Sequence, residues 1–263
     1  MKLCLRTMSG SDPSQGIIRS ARVWLSLCVL VALSFNACGR RMPSSLETEA
    51  SLTTTEWLEQ RYGLNHSAEL KRLLDRVASR LGATVSGRAL ERESNLALSG
   101  SLANQQWEVL VIKTPEPNAF SVGSGIVFVT EGLLARTETE AELAAIISHE
   151  MSHQLLGHTR EAIQSQSEKL SGSPKFAYSL EREIEADTLG LKMLKVARYD
   201  LRYAPLALTL GYRSFDSVVA KPHPRWIDER LANLKQQIAE SGEFLPATDT
   251  TREFNHVKRQ LFG

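Results

Sequence analysis

The strongest constraint on this chain lies between Thr139 and Leu156, where an apolar helical run carries polar residues that a core cannot hold unaided. Leu143, Ile146 and Ile147 begin an apolar face that continues through Leu155 and Leu156. Thr139, with Glu142 three residues later, has the form of a capping box and predicts the start of a long helix. Inside that helix stands His149-Glu150-Met151-Ser152-His153. Buried polar groups need partners, and a metal ion is one that two imidazoles can share. Residues four apart lie one above the other on a helix face, so His149 and His153 can bind one tetrahedral zinc ion. Glu150 is rotated from His149 by roughly 100°. It can act as general base toward a water on the metal without being a ligand. A solvent-facing helix with two unrelated histidines would not carry this apolar flank.

Such a pentapeptide arises by chance in on the order of one chain in a hundred, so a zinc site needs a third protein ligand. Cysteine cannot supply it: Cys4, Cys28 and Cys38 all lie near the start of the chain, which leaves neither a thiolate site nor a disulfide framework in the remainder. About thirty residues beyond His153, Glu181-Arg182-Glu183-Ile184-Glu185-Ala186-Asp187 falls in the next predicted helix. Glu183 and Asp187 share a face. Glu183 suits the third ligand, and Asp187 suits the group that orients a metal-bound imidazole through its free N–H. Spacing alone leaves Glu181, Glu183 and Glu185 open. His158 follows His153 by five residues, which on a continuous helix turns it about 140° away and excludes it as a ligand. His66 and His256 have no partners in sequence and read as surface residues.

The rest of the chain predicts an α+β fold in which helices outweigh strands and the strands come early. A helix is expected over 67–81, with Leu70, Leu73, Leu74 and Val77 on one face. Trp107 to Lys113 reads as a strand, broken by Pro115 and Pro117, and short extended pieces follow around Gly123-Ser124-Gly125. Residues 164–174 read as a loop. Further helices are expected over 176–196, 201–212, 224–241 and 249–261. The strand around Ile126 to Val129 suggests an edge on which an extended peptide is held by main-chain hydrogen bonds. A formal net charge of +1 gives no pull toward nucleic acid. Phe128 stands where a G-x-G-x-x-G would need its last glycine, so a nucleotide site is not supported either.

At its start the chain carries Lys2, Arg6, Arg19 and Arg22, then an apolar run from Val23 to Phe35. A run this short falls below the roughly 20 residues that cross a bilayer and reads as a secretory signal; an uncleaved anchor helix is the competing reading. Phe35-Asn36-Ala37-Cys38-Gly39 resembles a bacterial lipobox. On that reading Cys38 carries acyl chains that hold the protein on a membrane. Gly39, where an Asp would signal retention at the inner membrane, points to the outer one. Residues 40–55, rich in Ser, Thr and Pro, read as a tether.

H-E-x-x-H followed by E-x-x-A-D resembles the gluzincin peptidase family that includes HtpX, the CaaX prenyl-protein endopeptidases and the periplasmic proteins BepA and LoiP. Two further stretches, in the family's order, extend the resemblance. Asn118-Ala119-Phe120 with Gly123, Gly125 and Phe128 to Leu134 is similar to the family's N-A-F…G…V-x-x-G-L. His223-Pro224 with Arg230 is similar to its late H-P element. The resemblance implies a mostly helical zincin-like domain with a small mixed sheet, one Zn2+ held by His149, His153 and Glu183, and Asp187 behind them. It implies that His223 lies near the metal, either stabilising an oxyanion or occupying the fourth zinc position in a latent enzyme. Arg230 would orient Glu183 or Asp187, or pair with a surface acid. Asn118, Ala119, Phe120, Gly125 and Val127 would form the substrate edge. The likeness is nearest to compact, single-domain lipoproteins of the LoiP type. The expected organisation is a signal peptide over 1–37, a tether over 38–55 and a metallopeptidase domain over 56–263. The expected activity is zinc-dependent hydrolysis of unfolded or misfolded envelope proteins. A largely latent, zinc-bound assembly factor for outer-membrane proteins is the second reading.

Overall fold

In the computed structural model the described residues are 45–87, 89–94, 105–166, 178–212, 224–242 and 250–263. All of them belong to one compact unit, residues 41–263. The chain enters through helices α1 (Ser45–Tyr62), α2 (Ala68–Ser86) and α3 (Ala89–Ser94). Three strands follow, β1 (Glu108–Ile112), β2 (Ala119–Gly123) and β3 (Ile126–Thr130). The remainder is helical: α4 (Glu131–Arg136), α5 (Glu140–Leu155), α6 (His158–Gln166), α7 (Leu180–Val196), a 3-10 turn (Leu201–Tyr203), α8 (Ala204–Tyr212), α9 (Pro224–Glu240) and α10 (Arg252–Phe262). Among the described residues no helix is long and apolar enough to cross a membrane.

Strand order is β1-β3-β2, with β3 parallel to β1 and antiparallel to β2. Side chains alternate across a strand, and here both faces are covered. Val109, Val111, Val127 and Val129 join the main core with Leu70, Leu74 and Val77 of α2 and Leu143 and Ile147 of α5. Leu110, Ile112, Phe120 and Phe128 point the other way, onto Trp57 and Leu58 of α1, with Phe120 and Phe128 stacked at 5.2 Å.

Two expectations change here. The 38–55 stretch expected as a tether is helical from Ser45 onward, because α1 finishes the back of the sheet. Its polar residues are used as well. Ser51 Oγ donates to the Val122 carbonyl at 3.0 Å, beside the bulge in β2, and the Glu47 carboxylate meets Arg160 of α6 at 3.2 Å. Residues 164–166, expected in a loop, belong to α6, which runs to Gln166, and 167–174 lie outside the described residues. The capping box of α5 forms as the sequence predicts: Thr139 Oγ1 accepts the Glu142 N–H, and the Glu142 carboxylate accepts the Thr139 N–H.

Candidate metal centre

α5 is buried along nearly its whole length, so its polar residues must find partners inside the protein. Toward its C-terminal end it presents His149 and His153, one turn apart. Their Nε2 atoms are 3.1 Å from each other. Glu183, in the first turn of α7, brings Oε2 to 3.5 Å from His149 Nε2 and Oε1 to 3.9 Å from His153 Nε2. Zinc–ligand bonds of about 2.0–2.2 Å in a tetrahedron place ligand atoms about 3.3 Å apart. Among the described residues this is the group of His and carboxylate side chains that converges in that way. Two imidazole nitrogens and a carboxylate oxygen aimed at one point at this spacing can share a proton or a metal cation, and the donor set fits Zn2+.

α5 and α7 approach closely because Gly190 lies on α7 opposite the start of the motif. A Cβ there would come within 3.2 Å of the His149 nitrogen and of Ser148 Oγ. From one turn N-terminal to Gly190, Asp187 reaches His149 Nδ1 at 2.9 Å, although no acceptor lies along the Nδ1–H direction itself. Asp187 is gripped in turn by Arg230 of α9, through Nε to Oδ2 at 2.7 Å and Nη2 to Oδ1 at 2.8 Å. The third guanidinium nitrogen, Nη1, meets Glu183 Oε2 at 2.7 Å. One buried arginine thus orients both the ligand carboxylate and the carboxylate behind His149.

The electrostatics follow. Burial pushes the Glu183 and Asp187 carboxyls up, but their partners outweigh it. His149 and Arg230 hold Glu183 below its usual range, and the Arg230 and His149 bonds bring Asp187 down to about 2. Burial opposes protonation of His149, yet Asp187 and Glu183 raise it to about 10. His153, desolvated and beside His149, is held well below 6.5. Glu150 stands outside the ligand set. Burial raises its carboxyl to about 7; nearby His149 opposes this, and so does a hydrogen bond with Ser121 of β2.

Three further groups, His158, Tyr178 and Gln154, complete the centre. α5 ends at Leu155, and Gly157, at φ 82°, turns the chain so that α6 starts a new direction. That turn brings the His158 ring back beside His153, with the two Nδ1 atoms 3.1 Å apart, while His158 Nε2 faces Glu185 at 3.1 Å. The 140° argument excluded His158 as a ligand but assumed an unbroken helix. Tyr178 stacks on the His153 ring at 4.0 Å and 15°. Its hydroxyl meets Thr159 Oγ1, which also meets Ser121 Oγ, each at 3.3 Å. Gln154 ties α5 to the β2–β3 turn: its carbonyl accepts the Gly125 N–H and its amide donates to the Ile126 carbonyl, both at 2.9 Å.

The expected substrate edge is corrected in part. Val127 is buried in the central strand, with β1 on one side and β2 on the other. Gly125 serves the turn: a Cβ there would strike the Gln106 carbonyl oxygen at 2.0 Å. Asn118 spends its main-chain groups on Thr130, donating to Oγ1 at 2.9 Å and accepting from the N–H at 3.0 Å. Ala119 and Phe120 do lie in β2, an edge strand. Main-chain groups alternate in direction along an antiparallel strand, so those of Ala119 and Ser121 turn away from β3. His223 and Cys38 lie outside the described residues.

A histidine pair on a buried helix, a carboxylate from the next long helix and a non-ligand glutamate between the histidines form an arrangement consistent with a zincin site. Residues 88–174 match the model of Peptidase family M48. Glu183, Asp187 and Arg230 lie beyond the matched stretch. Among characterised proteins, the chain is similar to mitochondrial metalloendopeptidase OMA1 of Schizosaccharomyces pombe, 30% identical over 184 residues, which cover 60% of this chain and 52% of the relative. It is also similar to the proteins of that name from Arabidopsis thaliana, 34% over 128 residues (41% and 26%), and Danio rerio, 27% over 199 residues (58% and 41%). The chain thus spans between about a quarter and a half of these relatives' length.

Proposed function

We propose that this protein is a zinc-dependent endopeptidase, and that it hydrolyses unfolded or misfolded protein segments. The observation that carries the reading is the convergence of His149, His153 and Glu183 beside Glu150, a carboxylate that has no ligand role. Zinc, when bound there, supplies Lewis-acid polarisation of the scissile carbonyl and acidifies water. Glu150 takes the proton of the attacking water and returns it to the departing amine. Ser121 of β2 lies beside the Glu150 carboxyl and favours its charged form. A peptide laid along the β2 edge would find the Ala119 main-chain groups, and pairing of this kind reads backbone more than side chain. That selects extended, unfolded segments over folded proteins.

The N-terminal segment supports a second part of the proposal, that the protein is a lipoprotein anchored through Cys38 and facing the periplasm. The basis is the basic start, the short apolar run and the lipobox-like Ala37-Cys38. The named relatives are mitochondrial proteins, so the bacterial-envelope address rests on these sequence features alone. Cleavage of casein tests the activity. Wild type should cleave it, chelation should abolish cleavage, and Glu150→Gln should slow it by about 10²–10⁴-fold while still taking up zinc. Equal rates in all three samples would overturn the mechanism.

A further inference from the structure

The two histidines of the centre are backed differently. His149 has a carboxylate directly at its Nδ1 side. His153 has another imidazole there, His158 Nδ1 at 3.1 Å, and a carboxylate one residue further out, Glu185 Oε2 at 3.1 Å from His158 Nε2. The two facing Nδ1 atoms can share only one proton, so one ring donates and the other accepts. Glu185 decides which. A carboxylate accepts hydrogen bonds and donates none, so the favourable His158 tautomer carries its proton on Nε2 and leaves Nδ1 as an acceptor. The facing proton must then be on His153 Nδ1, and His153 Nε2 is left as a bare lone pair aimed at His149 and Glu183.

The ring of His153 is held by more than this bond. Tyr178 stacks on one face, and His158 meets it edge-on at 5.2 Å and 61° between centroids. His158 is itself buried and comes from α6, a separate helix beyond the Gly157 turn. Its placement is therefore not a by-product of the motif's own helical spacing.

We propose that His158, itself oriented by Glu185, is a positioning residue for His153: it accepts the Nδ1–H and fixes the tautomer that offers Nε2 to the metal. The inference rests on the zinc reading above and adds a residue to it. His158 touches neither substrate nor metal, and its effect belongs to metal affinity before it belongs to turnover.

The test is zinc affinity, measured by competition with a chromophoric chelator, on the full-length protein and two variants. His158→Phe keeps an aromatic ring but removes the acceptor, and affinity should fall by about 10–100-fold. His158→Asn places an amide oxygen near the position of Nδ1, and affinity should return toward wild type. His158→Phe binding zinc as tightly as wild type would overturn the proposal, as would Asn and Phe variants weakened alike, since the ring would then only fill space. Should His158→Phe fail to fold, imidazole 15N spectra of zinc-loaded wild type decide: Nδ1–H on His153 and Nε2–H on His158 support the assignment, and Nδ1–H on His158 overturns it. Wild type that takes up no zinc would overturn the metallopeptidase reading itself. Wild type that binds while His158→Phe binds equally would remove only the role of His158.

Discussion

Arg230 is buried and makes three charge-assisted bonds to two carboxylates of another helix, one of them a candidate metal ligand. Removing one partner of a buried ion pair costs about 3–5 kcal/mol, chiefly because the other is left desolvated and alone. Arg230→Ala should lower the unfolding free energy of the metal-free protein by that amount in urea denaturation, and zinc affinity should fall with it. Arg230→Lys should recover little, since a single ammonium cannot grip Asp187 with two bonds while reaching Glu183. A loss below about 1 kcal/mol for Arg230→Ala, the range of a surface pair, would mean that the carboxylates find other counter-charges.

Among the elements, the α5–α7 contact sets the distance between the histidines and Glu183, and Gly190 sets that contact. Gly190→Ala puts a methyl group 3.2 Å from the His149 nitrogen and Ser148 Oγ. Neither helix yields easily, so overpacking should cost about 1–3 kcal/mol. The helix-propensity gain of Gly to Ala, about 1 kcal/mol, should return part of it. Net stability should change little while zinc affinity drops, because the displacement falls between ligands; calorimetry together with zinc titration checks that split. Much of this level was legible in the sequence. The capping box located α5, the i, i+4 pairs named both helix faces, and Arg230 was marked as a partner for Glu183 or Asp187. What escaped reading depends on non-local geometry. The parallel β1–β3 pairing that buries Val127 leaves no trace in either strand's alternation. α1 lacks an apolar stripe and is held by Leu58, Ser51 and Glu47. His158 stays outside the ligand group, as its spacing implied, but its place beside His153 was hidden because an α-helix was continued through a glycine, although a glycine just past an apolar helical run is itself a stop signal.

Across the whole molecule, zinc should act as a thermodynamic clamp. It joins α5 to α7, and a ligand that binds the folded form alone stabilises it by RT ln(1 + [L]/Kd), about 4 kcal/mol at a thousandfold excess over Kd. Added zinc should therefore raise the thermal midpoint of the metal-stripped protein, and His149→Ala should abolish the rise. A midpoint in wild type that ignores zinc would count against a site built from both helices. The clamp closes against a molecule already fastened elsewhere: Glu140 at the other end of α5 is fully buried, bonded by Arg76, Tyr199 and Thr251, and so links α2, α5 and α10.

The Arg230 grip also has a consequence for biosynthesis. A ribosome has made the histidine motif, Glu183 and Asp187 well before it reaches Arg230, which lies 43 residues beyond Asp187. Until α9 emerges and docks, Glu183 and Asp187 lack the guanidinium that grips both, and of these charged groups only His149 faces them. The centre is thus completed late in translation, and a nascent or truncated chain lacking α9 has its candidate ligands without the arginine that fixes two of its carboxylates.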